Sequence, residues 1–315
     1  MECHLLAAMH VLSLRSDPNL TEVSLVSGMP SPTLPWPKEW STPKRIRWSI
    51  ALSYLGLMGV ASLYFGLAGV SAGDYTHVPL FLLGGSLCLI IAAHGVLTRL
   101  CVRSGATGAI RISTIPETGE TVVVFPYSAG QFWTLFSQTA IILWGFAVPV
   151  AVASVVEVSD TQEIGDMIIA LVSLVAVGYF LALMCQFWTK KIARGYVAMG
   201  GAGIYHRSWA FTSFSPWQHV YDVRPSGGGD RQIQVLVDAN AEGWSRRTSR
   251  FWKQPESCSG QSLTIRVIYL SVDPALVYHA LKFYFENPRA RSELSGDAAV
   301  RRLRRADIPV PSRHL

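Results

Sequence analysis

Four long apolar runs alternate with short polar stretches along this chain: Trp48–Val70, Val78–Thr98, Phe132–Val155 and Met167–Thr189. At 1.5 Å of rise per residue, a helix over each run spans the roughly 30 Å of a bilayer's hydrocarbon core. No Asp, Glu, Lys or Arg interrupts any of them. The last run alone holds eleven Leu, Ile, Val or Phe residues. At about −0.3 to −0.6 kcal/mol each they supply roughly −3 to −7 kcal/mol of insertion free energy. The pattern predicts four transmembrane helices arranged as two hairpins.

The period changes between and after the hairpins. Ile110–Ile115 and Thr121–Phe125 flank Pro116-Glu-Thr-Gly-Glu120, the signature of a β-hairpin. A lone hairpin is only marginally stable, so it is expected to pack on the C-terminal domain or add strands to it. From about residue 195 short strand-like segments alternate with turn residues: Tyr196–Met199, Ile204–Ser208, Ala210–Ser213, His219–Val223, Gln232–Val237 and Leu263–Leu270. A helix is expected next, with Asp273 as N-cap and Pro274 at its first position. Leu276, Val277, Ala280, Leu281, Tyr284 and Phe285 form its apolar stripe. Asn287-Pro288 ends it and allows another helix through Arg305.

Residues 1–43 carry no comparable pattern. Pro30, Pro32, Pro35, Pro37 and Pro43 predict an extended, solvated, disordered segment, and translation is expected to start at Met29. The predicted layout is therefore a Pro-rich N-terminal segment (1–43), a transmembrane hairpin (44–98), a cytoplasmic β-hairpin insert (99–131) and a second transmembrane hairpin (132–189). A cytoplasmic strand-rich domain (190–288) and a basic helix and tail (289–315) complete it.

Charge orients this layout. Of the 315 residues half are hydrophobic and 15% charged, short of the roughly one quarter charged that is usual in a soluble protein, which points to lipid contact. Lys38, Lys44, Arg45 and Arg47 precede the first run; Arg99, Arg103 and Arg111 follow the second; Lys190, Lys191 and Arg194 follow the fourth. The connections 71–77 and 156–166 have no Lys or Arg, and the latter holds Glu157, Asp160, Glu163 and Asp166. The positive-inside bias then places both termini in the cytoplasm, with Trp48, Trp133 and Trp188 at the inner interface.

Gly203-Ile-Tyr-His-Arg207 and Pro216-Trp-Gln-His-Val-Tyr-Asp-Val223 resemble the bacterial PH-like (pleckstrin-homology-like) domains. The ending Val272–Leu294 is similar to that of a group of uncharacterised actinobacterial multi-pass membrane proteins. The resemblance covers about the last 120 residues and the four-helix layout. It implies an α-helical membrane protein with a C-terminal α+β domain, a PH-like small β-barrel capped by a helix, in a bacterial plasma (inner) membrane. It implies no activity.

The remaining chemistry is sparse. There is no phosphate-binding loop, nucleophile elbow or HExxH, and the five cysteines form no close pair, so neither a catalytic residue nor a cofactor is expected. Gly200-Gly-Ala-Gly203 leads into a strand and reads as a tight turn. His206 and His219 alone do not make a metal site. In the first run Gly56, Gly59, Ser62 and Gly66 form a small-residue stripe, which Gly84, Gly85 and Ser86 are placed to face. His94 and Gln138 read as structural hydrogen-bonding groups.

One segment gathers cations with aromatics: Trp244, Arg246, Arg247, Arg250, Trp252 and Lys253, with a second basic cluster at Arg301, Arg302, Arg304 and Arg305. The first group is the candidate lipid- or partner-binding site, since interfacial aromatics and cations together suit an anionic headgroup surface. The expected function is a cytoplasmic binding module for anionic lipid headgroups or a protein partner, without catalysis and without nucleic acid. The alternative is a small transporter or channel subunit, which the lack of any charged residue inside the runs disfavours.

Overall fold

The structure, a computed structural model, describes residues 34–40, 45–73, 77–100, 105–155, 164–227, 231–238, 243–249 and 262–309. The expected start at Met29 lies outside these residues. Helix α1 spans Arg45–Ala72, and α2 spans Val78–Gly95 and continues through one π-helical turn, Val96–Leu100. Helix α3 covers Ala129–Val155 and α4 covers Ile164–Trp188. Successive helices pack against one another in chain order. Among the described residues three helices are long and apolar enough to cross a membrane: Ile46–Ala72, Val78–Leu100 and Leu171–Trp188. The fourth expected span falls in α3, whose last turns have side chains outside the described set.

Among the described residues nine strands follow the expected change of period. The hairpin is β1 (Arg111–Thr114) and β2 (Thr121–Pro126), turned at Gly119, whose φ of +70° suits a residue without a Cβ. Next come β3 (Tyr196–Met199), β4 (Gly203–Arg207), β5 (Phe211–Pro216), β6 (Val220–Ser226) and β7 (Gln232–Val237). Strands β8 (Trp244–Arg247) and β9 (Ser262–Arg266) complete the set. They form a six-stranded antiparallel sheet, β1-β2-β3-β4-β5-β8, and a three-stranded one, β6-β7-β9. The hairpin joins the C-terminal strands through β2, with Val124 opposite Ala198 and Phe125 opposite Val197.

Alternation explains the core. Every second residue of β5, β7 and β9 is buried. Phe125, Val197, Met199 and Ile204 from one sheet share a continuous core with Val223, Ile233, Val235, Leu263 and Ile265 from the other. Helix α5 (Pro274–Glu286) packs on β6 and buries Leu276, Ala280, Leu281 and Tyr284 in this core. Its N-cap is Asp273 and Pro274 stands in its first turn, as the local signals require. Beyond Asn287 the backbone turns through a 3-10 stretch, Pro288–Ser295, and ends in the short α6 (Asp297–Arg304).

Three expectations need correction. Between Val237 and Leu263, where the pattern offers only a long loop, the chain forms β8, which the sequence hides because all four of its residues are exposed and no alternation of burial marks it. The run 263–270 divides, since after Arg266 the backbone makes a 3-10 turn over Val267–Tyr269. The Pro-rich stretch is not solvated throughout: Leu34 and Trp40 belong to the main core, at 9% and 4% exposure. Prolines report an extended backbone, not what that backbone lies against.

Candidate functional site

Strand β8 places the candidate residues by its register. Trp244 lies opposite Phe214, Arg246 opposite Thr212 and Arg247 opposite Phe211. Side chains alternate along a strand, so Trp244 and Arg246 share one face of the six-stranded sheet. An aromatic row crosses that face: the Tyr205 and Phe214 ring centroids are 4.5 Å apart, and those of Phe214 and Trp244 are 6.4 Å apart. The next row of the register is Tyr196, Arg207, Thr212 and Arg246. Two strand spacings separate Arg207 from Arg246, about 10 Å at the backbone, with the Thr212 hydroxyl between them.

Two hydrogen bonds tie this face to the end of α4. The Thr248 hydroxyl donates to the Lys191 carbonyl at 2.7 Å, and Nη2 of Arg207 donates to the Lys190 carbonyl at 3.2 Å. Trp188, at 90% exposure, is the last residue of that apolar helix, and Lys190, Lys191, Arg246 and Arg247 are exposed beside it. Cations therefore gather where an apolar helix ends. The other end of the aromatic row is acidic: Glu120 Oε2 accepts a hydrogen bond from the Tyr205 hydroxyl at 2.8 Å, and Oε1 accepts one from the Ala202 amide at 3.0 Å. Burial first, and Glu120 beside it, push the Tyr205 phenol up to about 12.

Trp244 and Arg246 thus stand together, Arg247 follows on the other side of the strand, and Arg250, Trp252 and Lys253 lie outside the described residues. Lys190, Lys191 and Arg207 join the patch, and sequence reasoning missed their part in it because Arg207 reaches β8 only through the β4–β5–β8 register. Two of the four arginines in the second basic cluster are committed to structure. Nε of Arg302 is 2.8 Å from Glu293 Oε1 in an ion pair, and Nη2 of Arg304 donates to the Ile110 carbonyl at 2.8 Å.

The other polar candidates have neighbours of their own. His94 Nδ1 is 2.8 Å from the Thr134 hydroxyl, a link from α2 to α3. His206 is buried, with Nε2 2.6 Å from the Tyr127 hydroxyl, and His219 Nε2 lies 3.3 Å from Gln218 Nε2. Among the described residues no three His, Cys, Asp or Glu side chains come together to hold a metal ion. Compared with protein-family models, curated proteins and solved structures, the chain has no match.

The His206 site makes stability depend on pH. Burial lowers its pKa from the ordinary 6.5 to about 3, so the folded chain holds the imidazole neutral. Below about pH 6.5 the unfolded chain takes up a proton that the folded chain refuses. Stability present above that pH is therefore lost as pH falls toward 3, at roughly 1 kcal/mol per unit. Melting temperatures measured from pH 7 down should fall less steeply for His206→Gln, which does not titrate. Parallel curves would show that His206 carries no such linkage.

Proposed function

We propose that this chain is an integral membrane protein whose strand-rich domain is a PH-like module, presenting the β8 face to anionic lipid headgroups at the inner leaflet. In this reading α3 is the fourth span and both termini are cytoplasmic. Two antiparallel sheets followed directly by a covering helix support the PH-like description. The Thr248 bond to the Lys191 carbonyl carries the lipid reading, because it holds the basic face beside the end of a membrane helix. Lys190, Lys191, Arg207 and Arg246 then sit where an anionic leaflet contributes about 1 kcal/mol per cation within a Debye length of about 8 Å. Exposed Trp188 and half-exposed Trp244 suit the same interface.

The test uses the whole chain. A fragment starting at Lys191 would lack β1 and β2 and uncover the β3 edge with which β2 pairs. In nanodiscs, amide exchange over Trp244–Arg247 should slow several-fold when zwitterionic lipid is partly replaced by phosphatidylglycerol. High salt should reverse the effect, since the contact is electrostatic. Arg246→Ala with Arg247→Ala should abolish it. Exchange indifferent to lipid charge would dispose of the headgroup reading and leave this face to a protein partner.

A further inference from the structure

Residues 34–40 lie against the domain in the manner of a bound peptide. The Trp40 indole is almost fully buried, and its Nε1–H donates to the Gln232 carbonyl of β7 at 3.2 Å. Its ring meets Tyr278 of α5 edge-on at 6.0 Å and Trp36 at 5.5 Å. His279 Nε2 donates to the Pro35 carbonyl at 2.9 Å, and the Arg231 guanidinium covers the Trp36 ring at 4.8 Å. Gly227, at the end of β6, packs so closely on the Glu39 carbonyl that a Cβ there would overlap it. Each contact recognises a feature of a Trp-containing, Pro-rich chain that turns at Pro37–Trp40: an indole N–H, a prolyl carbonyl and a π-face.

None of these contacts needs the segment to be continuous with the domain. Only residues 41–44 separate Trp40 from the start of α1 at Arg45, a stretch reaching at most about 18 Å. So short a tether gives a local concentration on the order of millimolar, enough to keep even a weak groove occupied. We infer that the space between α5 and the β6–β7 end is a peptide-docking groove, filled in cis by residues 34–40, and that any other ligand must displace this strap. The strap also holds that end of the domain close to the start of α1. The groove lies on β6, β7 and α5, apart from the basic face on β8.

The test is competition for the groove by a labelled synthetic peptide of residues 31–42. Full-length protein in nanodiscs carrying Trp36→Ala and Trp40→Ala should bind the peptide saturably. The unaltered chain should bind it at least about tenfold more weakly, because its groove is occupied. Equal binding to both would overturn occupancy in cis, and saturable binding to neither would overturn the groove. A second form guards against misfolding of the double variant. A protease site placed within residues 41–44 is cut after the protein has folded, leaving the strap held by its contacts alone. The labelled peptide should then exchange into the cut protein and not into the uncut one. Failure to exchange into the cut protein would overturn the inference independently.

Discussion

Replacing Asp273 with Ala should lower the unfolding free energy by about 2–4 kcal/mol, because one buried carboxylate performs two tasks. Oδ1 accepts the Ala275 amide at 2.9 Å and caps α5, while Oδ2 accepts the Gly105 amide at 2.7 Å. The Asp273 amide in turn donates to the Ala106 carbonyl at 2.9 Å. The residue therefore starts the covering helix and fixes the chain that leads into β1. Losing a cap costs about 1 kcal/mol, and leaving the Gly105 amide without its acceptor costs about 1–3 kcal/mol more. Asp273→Asn should fall between, since its one carbonyl oxygen serves a single amide and its NH₂ faces the other. Thermal unfolding in a fixed detergent would rank the three proteins. An alanine variant melting with the parent would mean that the carboxylate holds neither element.

Asp273-Pro274 was legible because a cap is a local signal: residue types, spacing and turn all lie within four positions. Gln232–Val237 was legible because one buried face imposes strict alternation on its side chains. What escaped is what depends on distant partners. Strand β8 has no buried face, so only its pairing with β5 makes it a strand. The strap shows in the sequence only as prolines, because Gln232, Tyr278 and His279 lie some two hundred residues away from it. The same limit applies to the basic patch. Arg246 and Arg247 stand out as a local cluster, whereas Arg207 belongs to it only through a strand register and Lys190 only through its carbonyl's bond to Arg207.

The helix seam yields the most discriminating result, because two adjacent glycines should behave oppositely. A Cβ built on Gly85 of α2 would lie 2.8 Å from the Gly59 carbonyl oxygen and 2.9 Å from Leu63 Cγ of α1. On Gly84 it would meet only the Ser62 hydroxyl, at 3.9 Å, an ordinary contact. The Ser62 hydroxyl itself donates to the Phe81 carbonyl at 2.8 Å, so a small side chain of α1 also reaches the backbone of α2. In a bilayer apolar side chains gain nothing by leaving lipid, and close backbone packing carries much of helix association. Gly85→Ala should therefore cost about 1–3 kcal/mol, the usual penalty for overpacking, and Gly85→Leu more, since a carbonyl cannot move aside as a side chain can. Gly84→Ala should be neutral or slightly stabilising, because alanine favours the helix where there is room. Both substitutions add the same methyl group at almost the same depth, so insertion energy cannot separate them. Only the geometry of the α1–α2 contact can, and equal melting temperatures for Gly84→Ala and Gly85→Ala would rule that geometry out.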